Sequence, residues 1–262
     1  MRRLGIRLLV WAILVLPLPL PAVGAQPGPC AAPDAYTTTP GWLGQLTSAV
    51  AAGGPVAILA VGSATTMGLT DNPATPATVA PGMSFPRHML QVLQASLPQV
   101  SFSLTVRGGR GMTAADMLVP MQTALQEQHF PLVLWQTGTV EALRGIRPDA
   151  LRDAVRTGTE RVRQAGGDLV LIDAQYSRML SANTDLEPYE AVLQQAATQP
   201  GVALFRRFDL TRSWATTGQI DLERTPKEQR DNALETLNTC LGEALAQFVL
   251  SAADIQKTAP QR

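Results

Sequence analysis

Short, almost uninterrupted apolar runs alternate with longer amphipathic stretches from residue 41 onward. "PVAILAVG" (55–62), "FPLVLWQTG" (130–138), "GDLVLIDAQY" (167–176) and "GVALFRRF" (201–208) read as strands, the first two buried on both faces. "VSFSLTVRG" (100–108) alternates apolar and polar positions, as a less covered strand does. Apolar residues recur at helical spacing over 41–53, 84–98, 112–128, 148–165, 187–199 and 230–253, the first of these stopping at Gly53-Gly54. Strands and helices alternating in this way predict right-handed crossovers and an α/β fold: a five-stranded parallel sheet with helices on both faces, a three-layer α/β/α sandwich. Ligands of such sheets sit at the carboxyl ends of the strands, which singles out the loops 62–70, 107–113, 137–145, 174–186 and 208–230.

The first 25 residues depart from this pattern. Arg2, Arg3 and Arg7 precede the apolar "LLVWAILVLPLPLP", and small residues Val23 and Ala25 follow at a cleavage site, the layout of a secretory signal peptide. Pro17, Pro19 and Pro21 break the apolar run, so no membrane span is expected after cleavage. The expected organisation is a signal peptide (1–25), an extended lead-in (26–40), one globular domain (41–253) and a short tail (254–262). A periplasmic or secreted protein with two cysteines, Cys30 and Cys240, is expected to join them in a disulfide. With 21 basic and 21 acidic residues and no basic run beyond the signal, nucleic acid is excluded as a partner on electrostatic grounds.

The predicted loops carry a family resemblance. "VGSATTMG" resembles the Gly-Asp-Ser-x-x-x-Gly block of the SGNH/GDSL hydrolases, "VRGGRGMTAADML" their second block, and "LVLWQTGTVEALRG" their Gly-x-Asn-Asp block. The resemblance implies a flavodoxin-like fold and ester chemistry: a Ser nucleophile, an oxyanion hole built from Gly and Asn, and a His base in Asp-x-x-His. Carried over position by position, the nucleophile falls on Ala64, the oxyanion Gly is kept as Gly111, and the Asn falls on Val140. No His stands near the C-terminus, and spacing back from Cys240 puts Asn232 near the lost base. The resemblance therefore implies a degenerate member, a pseudoenzyme with a binding or accessory role in envelope or exopolysaccharide metabolism. Its partner would be an acylated carbohydrate or an envelope protein.

Other residues keep further readings open. Ser63 or Thr65 could act as a displaced nucleophile with Glu141 as base, or could order the turn, with Thr66. A live esterase or acyltransferase with an unusual residue set is thus one alternative. A purely structural module, its cleft filled by Val140 and Met67, is another. Arg107 and Arg110 could hold an anionic or sugar ligand, or be solvated loop charges. Thr139 lies beside the lost Asn, and Asp173 and Gln175 either line the cleft or order their loop. His88 reads as a helix-surface residue and His129 as lying at the amino end of its strand, away from the cleft. Asp116, Asp173, Asp209 and Asp221 are scattered and no His or Cys pair has ligand spacing, so neither metal nor cofactor is implied.

Overall fold

A computed structural model describes residues 28, 30–39, 42–68 and 84–255. The signal-like stretch and the end of the tail lie outside the described residues, as do the last two positions of the 62–70 loop. In chain order the elements are α1 (Asp34–Thr37), α2 (Gly44–Ala51), β1 (Val56–Gly62), α3 (Ala64–Met67), α4 (Phe85–Ser96), β2 (Phe102–Gly108), α5 (Ala114–Glu127) and β3 (Leu132–Gln136). There follow α6 (Thr139–Arg144), α7 (Pro148–Gln164), β4 (Asp168–Ile172), α8 (Arg178–Asn183), α9 (Glu187–Ala196), β5 (Val202–Phe205), α10 (Arg207–Thr217), a 3-10 turn (Lys227–Gln229) and α11 (Arg230–Ala252).

The five strands form one parallel sheet in the order β2-β1-β3-β4-β5. Successive strand residues feed opposite cores, as the two-residue period requires. Ile58, Ala60, Leu132, Leu134, Val170, Ile172, Ala203 and Phe205 pack with Met89 and Leu93 of α4, Leu210 and Trp214 of α10, and Leu241 and Leu245 of α11. Leu59, Val61, Val133, Trp135, Leu169, Leu171 and Val202 pack with Met117 and Met121 of α5, Val155 of α7 and Leu193 of α9. Both faces are covered, so the apolar runs that carry no alternation are buried on both sides.

Cys30 and Cys240 are joined in a disulfide. The lead-in is not simply extended: it contains α1, and the carbonyl of Ala31 accepts from Trp214 Nε1 (2.8 Å) and Gln219 Nε2 (3.0 Å). Four of the five predicted loops hold helices, the first of them α3 over 64–67. α6 fills 139–144, α8 fills 178–183, and α10 occupies the first half of 208–230. The last strand also ends at Phe205 rather than Phe208, because Asp173 accepts the Phe208 N–H and so helps to start α10 there.

Candidate functional site

β1 has β2 on one side and β3 on the other, so consecutive crossovers leave β1 in opposite directions and open a crevice at its carboxyl end. Gly62 closes the strand there. Its carbonyl accepts the Gly109 N–H (3.2 Å), and a Cβ on Gly108 would stand 1.9 Å from the same oxygen. Gly108, at φ +127, is thus the residue that lets the first two motif loops touch.

The turn after Gly62 is cross-linked by one amide. Gln136, 3% exposed at the end of β3, accepts on Oε1 from Thr65 Oγ1 (2.9 Å) and Thr66 Oγ1 (2.7 Å). Its Nε2 donates to Ser63 Oγ (3.3 Å). All three hydroxyls around Ala64 are therefore engaged with Gln136. Arg207 reaches the same turn from α10, Nη1 donating to Thr65 Oγ1 at 3.3 Å, and its guanidinium lies 5.7 Å from the centre of the Phe85 ring. It is 1% exposed, and burial pulls its pKa down to about 10 against the opposing pull of Asp173.

Glu141 is 2% exposed and serves the backbone: one carboxylate oxygen accepts from Ala114 N and the other from Gly138 N (3.1 Å). It satisfies a free N–H at the start of α5 and so ties the second motif loop to the third. Thr113 and Asp116 close a capping box on α5, whose backbone and hydroxyl donors lower the Asp116 pKa. Gly111 keeps a positive φ of +70, with Arg144 Nη2 3.1 Å from where its Cβ would be. Thr139 and Val140 open α6, both half-buried.

The other candidates are spread around this centre. Arg107 pairs with Glu127 of α5 at 3.3 Å, and Arg110 is exposed in the neighbouring loop. Asp173 accepts the Phe208 N–H (2.8 Å); burial, outweighing that bond and Arg207, raises its pKa to about 7. Gln175 borders a cavity of about 30 Å³. Asn232, in the first turn of α11, borders a more open one of about 480 Å³ with Asp221, Arg224 and Gln229, a lining that does not include Ala64. Neither His serves the turn. His129 Nε2 is 3.1 Å from the Gly166 carbonyl at the amino end of the sheet. His88 is not a surface residue: its side chain is 14% exposed between α4 and α11, with Nε2 3.1 Å from Glu235 Oε1.

A sequence profile of the Non-GDSL lipase-like family matches residues 29–255. The chain belongs to that family. No curated protein sequence matches it significantly. Among solved structures, TesA is similar at a TM-score of 0.51 and 20% identity, over 72% of this chain and 99% of TesA. The acetylxylan esterase Axe2 from Geobacillus stearothermophilus is similar at 0.57 and 14%, over 79% of this chain and 97% of Axe2. The SGNH hydrolase-like fold is therefore established for this Non-GDSL lipase-like protein, with Ala64 opening α3 just after its first strand.

Three features of this family member were not read from sequence. Gln136 had a signal, a lone amide inside "LVLWQTG". Asp221, in "DLER", was read as one of several scattered carboxylates. Asp221 is instead clamped by Arg178 through two bonds (2.9 and 2.8 Å), which hold its carboxyl below the usual range. Glu223 accepts from Ser177 Oγ (2.7 Å) and the Arg178 N–H (2.9 Å), fastening the 174–186 segment to the segment before α11. Arg207 gave no signal at all, since "FRRF" reads as strand-edge charge.

Proposed function

We propose that this protein is exported and acts as a catalytically inactive SGNH hydrolase-like binding or accessory protein for acylated polysaccharide, in envelope or exopolysaccharide metabolism. One observation carries the reading: Ala64 offers a methyl group where the ester-cleaving oxygen would be, and the hydroxyls on either side of it are held by Gln136. The hydrocarbon of Val140 and the distant engagement of both histidines support it. The Cys30–Cys240 disulfide supports an oxidising compartment. Axe2, described as an acetylxylan esterase, supports the choice of an acylated glycan as ligand class.

The test is made on purified mature protein. Short-chain nitrophenyl esters and a serine-reactive phosphonate should leave it inert, while calorimetry with acetylated xylo-oligosaccharides should show saturable binding without deacetylation. Ser63 favours a second reading, since it is only part-buried and adjoins Ala64. Phosphonate labelling that disappears in Ser63→Ala would replace the inactive protein with an esterase using a displaced nucleophile. Inertness together with no glycan binding would leave a structural interaction module.

A further inference from the structure

A cavity of about 290 Å³ opens at the amino end of the sheet, where β4 and β5 begin, between the start of α2 and the last turns of α7. Ala64 follows the carboxyl end of β1 in the same parallel sheet, so the length of the strands separates this cavity from the crevice. The binding role makes no use of it.

Its walls combine an aromatic face with hydrogen-bonding groups. Trp42 lines it at 39% exposure, whereas the other described tryptophans, Trp135 and Trp214, are 0% and 1% exposed. Gly166 and Gly201, both at positive φ, leave the opposite lining without side chains. Thr159 of α7 also lines the cavity and is 6% exposed. Its Oγ1 is buried with no hydrogen-bond partner, not even the carbonyl one turn back that a helical threonine commonly takes. A buried hydroxyl left unpaired is a cost that a ligand can relieve, and a turn about χ1 that presents it to the cavity breaks no existing bond.

Charge in the cavity is already compensated. Asp168 is buried and accepts the backbone N–H groups of Gln45 and Leu46, the latter at 2.9 Å. Arg163 is held by Glu160 through Nε (3.0 Å) and Nη2 (2.8 Å), which leaves Nη1 as its outward donor. An anionic ligand would meet the Asp168 and Glu160 carboxylates, and a purely apolar one would strand Thr159, Gln45 and Arg163 without water. The lining suits an uncharged molecule with one apolar face and several hydroxyls, and the volume, at the small end of ligand sites, suits one ring of it.

We propose that this cavity is a second binding site, one that takes a neutral pyranose ring of a polysaccharide. The ring stacks on Trp42 and its hydroxyls bond to Thr159, Gln45 and Arg163. The site is separate from the crevice and does not rest on the reading of Ala64.

Tryptophan emission of the mature protein reads Trp42 against two buried indoles. Xylotriose, cellotriose and maltotriose, all without acyl groups, are titrated in turn. At least one should shift the emission to shorter wavelength in a saturable manner and protect it from acrylamide quenching. By calorimetry, Trp42→Ala should weaken that sugar about tenfold or more, through loss of the stacking face. Thr159→Val keeps the shape of the side chain and should weaken it about two- to tenfold. The urea midpoint of Thr159→Val should hold or rise, because the unpaired hydroxyl is gone; a merely structural threonine would lower it. The site is overturned if none of the three sugars gives a saturable response, or if either variant binds as tightly as the unmodified protein. The probes carry no acyl group, so their failure leaves the crevice reading standing, and acetylated oligosaccharide bound by Trp42→Ala reads the crevice alone.

Discussion

In the proposed reading a methyl group at Ala64 stands in for the attacking atom, and restoring that atom does not restore a mechanism. Nucleophile, base and oxyanion donor act as a unit, and loss of one oxyanion donor alone costs on the order of 10²–10³ in rate. Ala64→Ser should therefore give no turnover above background with nitrophenyl acetate, since the Val140 side chain cannot donate and both histidines are engaged elsewhere. Glu141 makes a complementary case. Replacing it with alanine would orphan the buried N–H groups of Ala114 and Gly138, at a cost of about 3 kcal/mol, measurable as a lower urea midpoint with an unchanged m-value. Were Glu141 a general base, the same change would abolish an activity instead of weakening the fold. At this scale the sequence was readable where a residue type limits the chemistry a side chain can do, as the hydrocarbons of Ala64 and Val140 do. It was silent where chemistry depends on which atoms a side chain meets, as with Glu141, Gln136 and Arg207.

α4 and α11 show how elements depend on one small residue. A Cβ on Gly242 would fall 2.3 Å from Cβ of His88 and 2.7 Å from the Met89 nitrogen, so the two helices approach closely only because that atom is missing. Gly242→Ala should destabilise by about 1–3 kcal/mol through overpacking, despite alanine's better helix propensity, and equilibrium denaturation would read the sign. An increase in stability would show that the helices separate at little cost. All five strands and the longer helices except α10 were visible in the hydrophobic pattern, because a strand buried on both faces has to be apolar throughout. α3, α6 and α8 were not, for a helix of four to six residues completes too few turns to display a period. α10, which the sequence reads as loop, has its first turn held by Asp173, a partner 35 positions away in sequence.

For the whole molecule, the disulfide links the lead-in to α11 across 210 residues. Cys30→Ser with Cys240→Ser should lower stability by a nominal ~4–5 kcal/mol in the chain-entropy model. That corresponds to a Tm lower by about 10 °C, read by thermal melting; an unchanged Tm would show that the bridge does not constrain the unfolded chain. The pH profile has a definite sign. Asp173 has a raised folded pKa, so its contribution is complete below about pH 4 and is lost as pH rises through about 7. Asp221, lowered by Arg178, and Glu223, lowered first by Ser177, contribute above their unfolded values and are lost as pH falls. Stability should peak on the mildly acidic side, at about pH 5, and a Tm series that keeps rising toward pH 8 would contradict this. Sequence alone determined the layered fold, the crevice at the strand ends, the cysteine pair and the absence of a serine nucleophile at Ala64, because each follows from local composition or from a side chain's own chemistry. Tertiary structure alone decided which polar groups are buried together. Desolvation and pairing depend on neighbours brought in from distant parts of the chain, so the Gln136 bridge, the Arg178 clamp and the burial of Asp173 exist only once the sheet is closed by its helices.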